Sequence, residues 1–204
     1  MNKLLLTAAT LALLATPAVA STGFYAGVGA GISHSESNYS DSLGAEVNQS
    51  LAGFEGGVFA GYRHSINKTF AIGVEGGFDF LGSPEDTLTD GVDSLSLEKK
   101  HSWYLAAQPV VALSDTTDAF ASIGYQRAKY EATINYSGIT ASADESFNGL
   151  RLGVGVDHDV TSNIALRLEA NYVNYGGKTE TVGADSYSFD PSETTARVGV
   201  AYKF

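Results

Sequence analysis

Hydrophobic and polar residues alternate along most of the chain, and the alternation is clearest at its C-terminal end. Within residues 195–204, every second position is apolar or aromatic, whereas the positions between them are polar or small. Because successive side chains of a β-strand point to opposite faces, this pattern predicts a strand with one apolar face. Seven earlier segments show the same period of two, so we predict eight strands. The earlier segments begin near Phe24, Phe54, Phe70, His101, Ala121, Leu150 and Ile164.

The segments between the predicted strands are alternately long and short. An outer-membrane barrel has short turns on its periplasmic side, longer loops on its extracellular side and an even number of strands. We therefore predict an all-β fold: an eight-stranded antiparallel up-and-down transmembrane β-barrel, with short periplasmic turns, four long extracellular loops and both termini periplasmic. The long polar segments are residues 35–52, 81–98, 131–147 and 176–194, and the short ones are residues 64–68, 114–118 and 161–163.

Charged residues indicate which face of the predicted strands would meet lipid. All of them lie opposite the apolar positions, and a Lys or Arg facing lipid at mid-bilayer would cost about 2–4 kcal/mol. Aromatic residues concentrate near both ends of the apolar face, as expected for two membrane interfaces. A soluble barrel of the lipocalin type, with its apolar face turned inward, is the alternative. The charged positions are Glu55, Arg63, Glu75, Asp79, Arg151, Asp157, Arg167, Glu169, Arg197 and Lys203.

The first 20 residues have the features of a secretory signal peptide. Lys3 provides a basic start, residues 4–16 are mostly apolar, and Ala18 and Ala20 form an Ala-x-Ala cleavage site. The apolar run is shorter than the ~20 residues that a transmembrane helix needs. We therefore predict a signal peptide at residues 1–20 and one barrel domain at residues 21–204, with a retained anchor helix as the alternative.

Four segments of the chain resemble a known group of proteins. Residues 23–31, 149–156, 166–172 and 198–204 are similar to strands of small eight-stranded outer-membrane barrels. This group includes the OmpA-type transmembrane domain, OmpX, the opacity-type proteins and the broad outer membrane protein beta-barrel family. The resemblance implies the outer membrane of a Gram-negative bacterium. Since the chain ends at Phe204, we expect no periplasmic peptidoglycan-binding domain like that of full-length OmpA.

The apolar face of the last strand has a further meaning if the resemblance holds. A terminal phenylalanine preceded by apolar residues at alternate positions looks like the signal that the barrel-assembly machinery reads in this group. We therefore expect that machinery to be a partner of the chain. The residues concerned are Val198, Val200, Tyr202 and Phe204.

The inward charges are the main candidate site. Eight strands enclose a space that side chains can fill. The acids come largely from the second and third strands and the bases from the sixth to eighth, so we predict that they pair across the lumen and close it. Separately solvated charges along a thin water path are the alternative. The proposed cluster is Glu55, Glu75, Asp79, Arg151, Arg167, Glu169 and Arg197.

The predicted loops carry most of the acidic residues. With a formal net charge of −11, the chain is a poor candidate for nucleic-acid binding because phosphate would be repelled. Loop carboxylates suit divalent cations, although solubility is the simpler interpretation and the spacing from Asp86 to Asp93 is not that of an EF-hand. Tyrosines and leucines in the loops suit recognition of a partner, although packing within the loops explains them equally well. No metal or cofactor is assigned.

The four histidines are the candidate catalytic residues, and none of them has the surroundings of a catalytic site in the predicted strands. The strand count places His64 and His158 at periplasmic ends and His34 and His101 at outer ends. His34, Ser35 and Glu36 have the residue types of a hydrolytic triad, but adjacent residues of a strand point to opposite faces. We therefore assign no catalytic residue.

These observations together predict a monomeric outer-membrane barrel of structural or adhesin-like type, without catalysis. Its partners would be the lipid bilayer, lipopolysaccharide and, through the loops, host or matrix ligands. A narrow passive pore is the first alternative. A lipid-modifying outer-membrane enzyme and a soluble lipocalin-like barrel are further alternatives.

Overall fold

Ten β-strands occupy nearly all of the part of the chain that the computed structural model describes, which is residues 22–41, 46–82, 86–90, 93–136, 139–182 and 185–204. Within these ranges, no helix is long and apolar enough to cross a membrane. The predicted signal peptide, residues 1–20, lies outside them. The strands are β1 Gly23–Asp41, β2 Glu46–Ser65, β3 Phe70–Gly82, β4 Asp86–Asp90, β5 Asp93–Ser114, β6 Thr117–Tyr136, β7 Ile139–Asp159, β8 Ile164–Asn174, β9 Lys178–Val182 and β10 Asp185–Lys203.

Eight of the strands form a closed antiparallel barrel. The wall follows the order β1, β2, β3, β5, β6, β7, β8, β10, and β10 pairs back to β1. This closing register runs from Tyr25 opposite Lys203 to Asp41 opposite Tyr187. The two short strands lie off the wall order, since β4 pairs with β5 and β9 pairs with β10. The predicted eight-stranded up-and-down architecture is confirmed.

The segments predicted as long loops are largely β-strand. β1 and β2 stay paired as far as Ser40 opposite Glu46, and β6 and β7 as far as Tyr136 opposite Ile139. Antiparallel pairing therefore extends the barrel wall into tall hairpins at one end. The opposite end has short turns, such as residues 66–69 between β2 and β3. These segments were predicted as loops because they are polar. A strand that extends above the membrane meets water on both faces, so it can form without an apolar face.

Side chains alternate between the lumen and the outside along each wall strand. In β8, every second residue is buried and the residues between them are exposed. The predicted apolar positions are the exposed ones: Val28, Val154 and Leu168 are 58%, 61% and 61% exposed. An apolar outer surface around a polar interior is the arrangement of a barrel surrounded by lipid.

Aromatic residues form two belts on the outer surface. At the short-turn end, the Phe24 and Tyr62 rings lie 4.8 Å apart, and at the hairpin end the Trp103 and Tyr125 rings lie 5.5 Å apart. Tyr62 and Phe54 mark the two belts on β2, and their eight-residue separation spans about 26 Å of strand. A typical tilt reduces this to about 20 Å, close to the ~25 Å apolar band of outer-membrane barrels.

Candidate functional site

The lumen is filled by charged side chains in a lower network, central pairs and an upper chain. All seven residues of the predicted cluster are buried, with 4% exposure or less. Their ion pairs join strands on opposite sides of the barrel as well as neighbouring ones.

The lower network lies nearest the short turns and consists of Arg63, Glu75, Asp157 and Arg167. Arg167 donates to both oxygens of Asp157 through Nε (2.7 Å) and Nη2 (2.9 Å), and its Nη1 donates to Glu75 across the lumen. Arg63 also donates to Asp157 from the far wall. Charge-assisted bonds with this bidentate geometry are among the strongest hydrogen bonds in proteins. The network therefore ties four strands together.

Aromatic side chains complete the coordination of the lower network. The Tyr25 and Tyr104 hydroxyls donate to Glu75 at 2.8 and 2.9 Å. The Arg167 guanidinium lies 4.4 Å from the Phe59 ring centroid and 4.7 Å from that of Phe120. In place of water, the edge of the guanidinium contacts carboxylates and its two faces contact aromatic rings.

Arg197 and Arg151 form the central pairs. Arg197 donates to Glu55 at 2.9 Å and to Asp79 at 2.8 Å, and Arg151 donates to Glu169 at 3.1 Å. Gly31 lies between Arg197 and Glu55 in the strand register. Because glycine has no side chain to fill that position, the arginine can reach over β1 to β2.

The upper chain continues from the central pairs toward the hairpins. Arg151 donates to the Gln126 side-chain oxygen at 2.7 Å, and the Gln126 amide donates to the Tyr175 hydroxyl at 2.8 Å. Tyr175 donates to Glu193 at 2.6 Å, and Glu193 pairs with Lys99. A hydrogen-bonded path therefore extends from mid-barrel to the hairpin end of the lumen.

Three of the four histidines considered as candidate catalytic residues have contacts that the structure describes, and all three lie outside the lumen. His34 is exposed, with Nε2 3.5 Å from Glu36, and the His101 ring stacks on Phe78 at 5.4 Å. His158 contacts Thr117 at the short-turn end. Within the described ranges, there is no group of three or more His, Cys, Asp or Glu residues that could hold a metal ion.

Comparison with known proteins identifies the family of this barrel. Residues 4–204 match the family model described as "Outer membrane protein beta-barrel domain". The chain belongs to this outer-membrane family. It is 28% identical over 204 residues to a 31 kDa outer-membrane immunogenic protein of Brucella melitensis, covering 90% of this chain and 83% of the relative.

Solved structures show the same fold. The outer membrane protein OprG from Pseudomonas aeruginosa is similar with a TM-score of 0.54 and 11% identity, covering 91% of this chain and 98% of that one. Neisserial surface protein A has a TM-score of 0.50 and 20% identity, covering 91% and 100%. Together with the family match, this fold makes the barrel an outer-membrane protein of a Gram-negative bacterium, with its short turns periplasmic and its hairpins extracellular.

Three of the assembly-signal residues lie on the lipid-facing side of β10, and Phe204 directly follows the end of that strand. Val198, Val200, Tyr202 and Phe204 are 63%, 45%, 50% and 76% exposed, respectively. The Tyr202 and Phe204 rings pack edge to face at 5.1 Å on the periplasmic belt. Their role in assembly stays a prediction.

The predicted cluster left out several residues that take part in the lumen network. Arg63 and Asp157 lay on the correct face in the sequence pattern but were not included in the cluster. Lys99 and Glu193 were missed because their segments were read as loop or loop edge. A β-bulge between Lys99 and His101 shifts the alternation of β5 and turns Lys99 inward. The opposing acid, Glu193, is 1% exposed.

Proposed function

We propose that this outer-membrane barrel is a non-catalytic surface-interaction protein, of structural or adhesin-like type, which holds its extracellular hairpins above a lumen closed by ion pairs. The observation that carries the proposal is the continuation of strand pairing beyond the outer aromatic belt. From Tyr125 to Tyr136, β6 stays in register with β7, which spans about 36 Å of strand beyond the belt. The periplasmic end has no such extension in the described ranges.

Backbone pairing in the hairpins supports binding of a partner. Paired strands lose less conformational freedom on binding than flexible loops would, and residues on a rigid scaffold commonly carry function. The sequence of the hairpins mixes acids with tyrosines and leucines, a composition suited to contacts with a protein or glycan. The name of the Brucella relative, an immunogenic outer-membrane protein, supports a role for this chain at the cell surface.

The absence of catalysis is part of the proposal. His34 and Glu36 lie on one face of β1, whereas Ser35 between them belongs to the other face. Among the described residues, the His101 ring is stacked on Phe78 and makes no hydrogen bond to a hydroxyl nucleophile. Neither outer histidine therefore has the base-to-nucleophile geometry that hydrolysis requires.

Shortening a hairpin should abolish binding without affecting the barrel. Ala132 lies opposite Ala143, so replacing residues 133–142 with Asn-Gly closes the β6–β7 hairpin in register. We expect bacteria that display this variant to bind cultured epithelial cells and immobilised matrix proteins no better than bacteria without the barrel. Heat-modifiable gel migration should remain native, because the deleted residues lie above the outer belt.

A second hairpin provides the matched control for this test. Asn38 lies opposite Asn48, so residues 39–47 can be replaced in the same way. Loss of binding in one variant alone would assign the contact to that hairpin. Native binding by the variant in which both hairpins are shortened would contradict the proposal. Native bacteria that bind no better than those without the barrel would also contradict it.

A narrow passive pore is the second candidate. A cavity of about 210 Å³ opens at the periplasmic mouth, and its lining includes Tyr25, Arg63 and Asp157. Water could thus enter the lumen as far as the lower network. In a pore, conductance would persist after both hairpins are shortened, whereas an adhesin with a closed lumen would lack conductance throughout.

A further inference from the structure

Three basic side chains lie together outside the barrel, just above the outer aromatic belt. Arg127 and Lys129 occupy lipid-facing positions of β6, two and four residues beyond Tyr125. Lys100 is the extra residue of the β5 bulge beside them. Lys178 begins β9 in an extracellular hairpin, and the other lysines and arginines whose side chains the structure describes either point into the lumen or, like Lys68 and Lys203, lie at the periplasmic end. Three cations therefore lie close together on two adjacent strands of the outer rim, beside the acids Glu98, Glu131 and Asp144.

Two of these three side chains already have partners. Lys100 donates to Glu98 at 2.8 Å and lies 3.2 Å from Glu131. Because Glu98 and Glu131 are directly opposed in the register, Lys100 neutralises a repulsive cross-strand pair. Lys129 pairs with Asp144 at 2.7 Å, with both side chains more than a third exposed. An exposed pair of this kind contributes little and exchanges easily.

Arg127 differs from both lysines because it is exposed and has no hydrogen bond or ion pair with the described side chains. It lies directly opposite Trp103, and His101 lies directly opposite Lys129. Opposed residues of antiparallel strands have Cβ atoms about 5 Å apart. Arg127 and Lys129 thus lie immediately above the Trp103 and Tyr125 rings, beside His101, whose ring stacks on Phe78 of β3.

We propose that this face, formed by His101, Trp103, Arg127 and Lys129, binds a phosphate of lipid A in the outer leaflet. At this height a lipid-facing arginine sits at headgroup level, where a phosphorylated glycolipid supplies an anion for its planar donor fork. Lys129 leaves its ion pair with Asp144 and binds the phosphate instead. The acyl chains pack below, against Trp103, Leu105 and Tyr125, which are 41%, 55% and 41% exposed. This proposal does not depend on the function of the hairpins.

Trp103 is the one tryptophan in the sequence, so it reports on this face without a label. We would titrate lipid A carrying two phosphates into the native barrel in phosphatidylcholine nanodiscs and follow Trp103 emission. Native mass spectrometry of retained lipid A is the second readout. We expect Arg127→Gln to weaken the affinity by about fivefold, the effect of one charge contact at a membrane surface. Monophosphoryl lipid A should bind more weakly than lipid A, and inorganic phosphate should not compete at equal concentration.

Lys68→Gln is the matched control, because Lys68 is an exposed cation in a periplasmic turn, away from the face. It should bind lipid A as the native barrel does, and heat-modifiable migration should show that both variants are folded. Equal retention of lipid A by the native barrel and Arg127→Gln would overturn the proposal. Full competition by inorganic phosphate would also overturn it, since the face would then recognise a free anion.

Discussion

Replacing Arg167 with methionine is expected to lower the free energy of unfolding of the barrel by about 3–5 kcal/mol, the usual effect of removing one partner from a buried ion pair. The substitution leaves Glu75 and Asp157 buried without the guanidinium that bonds to both. Asp157 retains Arg63, whereas Glu75 retains only neutral hydroxyl donors. Urea unfolding in phosphatidylcholine vesicles, followed by Trp103 emission and gel migration, measures the change.

Two further variants separate charge loss from packing loss. Leu168→Met changes the lipid-facing neighbour, which is 61% exposed, and should unfold within about 1.5 kcal/mol of the native barrel. Arg167→Met combined with Glu75→Gln removes the orphaned carboxylate, so the double variant should be more stable than the sum of the two single losses predicts. Native-like unfolding of Arg167→Met would show that the lower network does not stabilise the barrel.

The second large effect is expected from Phe204→Ser, which should remove most of the assembled barrel from the outer membrane. The Phe204 amide donates to the Phe24 carbonyl at 3.0 Å, where β10 meets β1. Substitution keeps this backbone bond, so a loss of assembly would reflect recognition of the ring. Quantitative blots of outer-membrane fractions, with and without heating, measure the folded fraction.

Phe24→Ser is the matched control for the assembly prediction. Phe24 is 65% exposed on the same periplasmic belt but belongs to β1. If the last strand carries the assembly signal, Phe24→Ser should reach native levels, and purified Phe204→Ser should still fold into lipid vesicles without the machinery. Native outer-membrane levels of Phe204→Ser would count against the signal.

The alternation of residue types was sufficient to predict the barrel fold and the face that each residue of the eight predicted strand segments occupies. Strand alternation has a period of two, and the cost of a charge in lipid assigns the polar positions to the interior. Glu55, Glu75 and Arg151 were placed inside on this basis, and the structure buries them.

The partners of the lumen charges could not be read from the sequence, because they depend on register and on rotamers across the barrel. Arg151 pairs with Glu169 of the neighbouring strand, whereas Arg167 reaches Glu75 on the opposite wall. The bulge that turns Lys99 inward could not be predicted, because no pattern of residue types marks it. The alternation that it interrupts, in contrast, is visible in the sequence. The tall hairpins were missed for a different reason, since strands above the membrane need no apolar face.

The central claim is that ion pairs close the lumen, and single-channel recording in planar bilayers tests it most directly. We expect no stable channels from the native barrel. Arg151→Ala should raise the conductance, because it removes the guanidinium that lies 4.1 Å from the Tyr104 ring centroid. The same change removes the hydrogen bonds from Arg151 to Gln126 and Glu169. Leu150→Ala, on the lipid-facing side of the same strand, should behave as the native barrel. Large, stable channels from the native barrel would contradict a closed lumen.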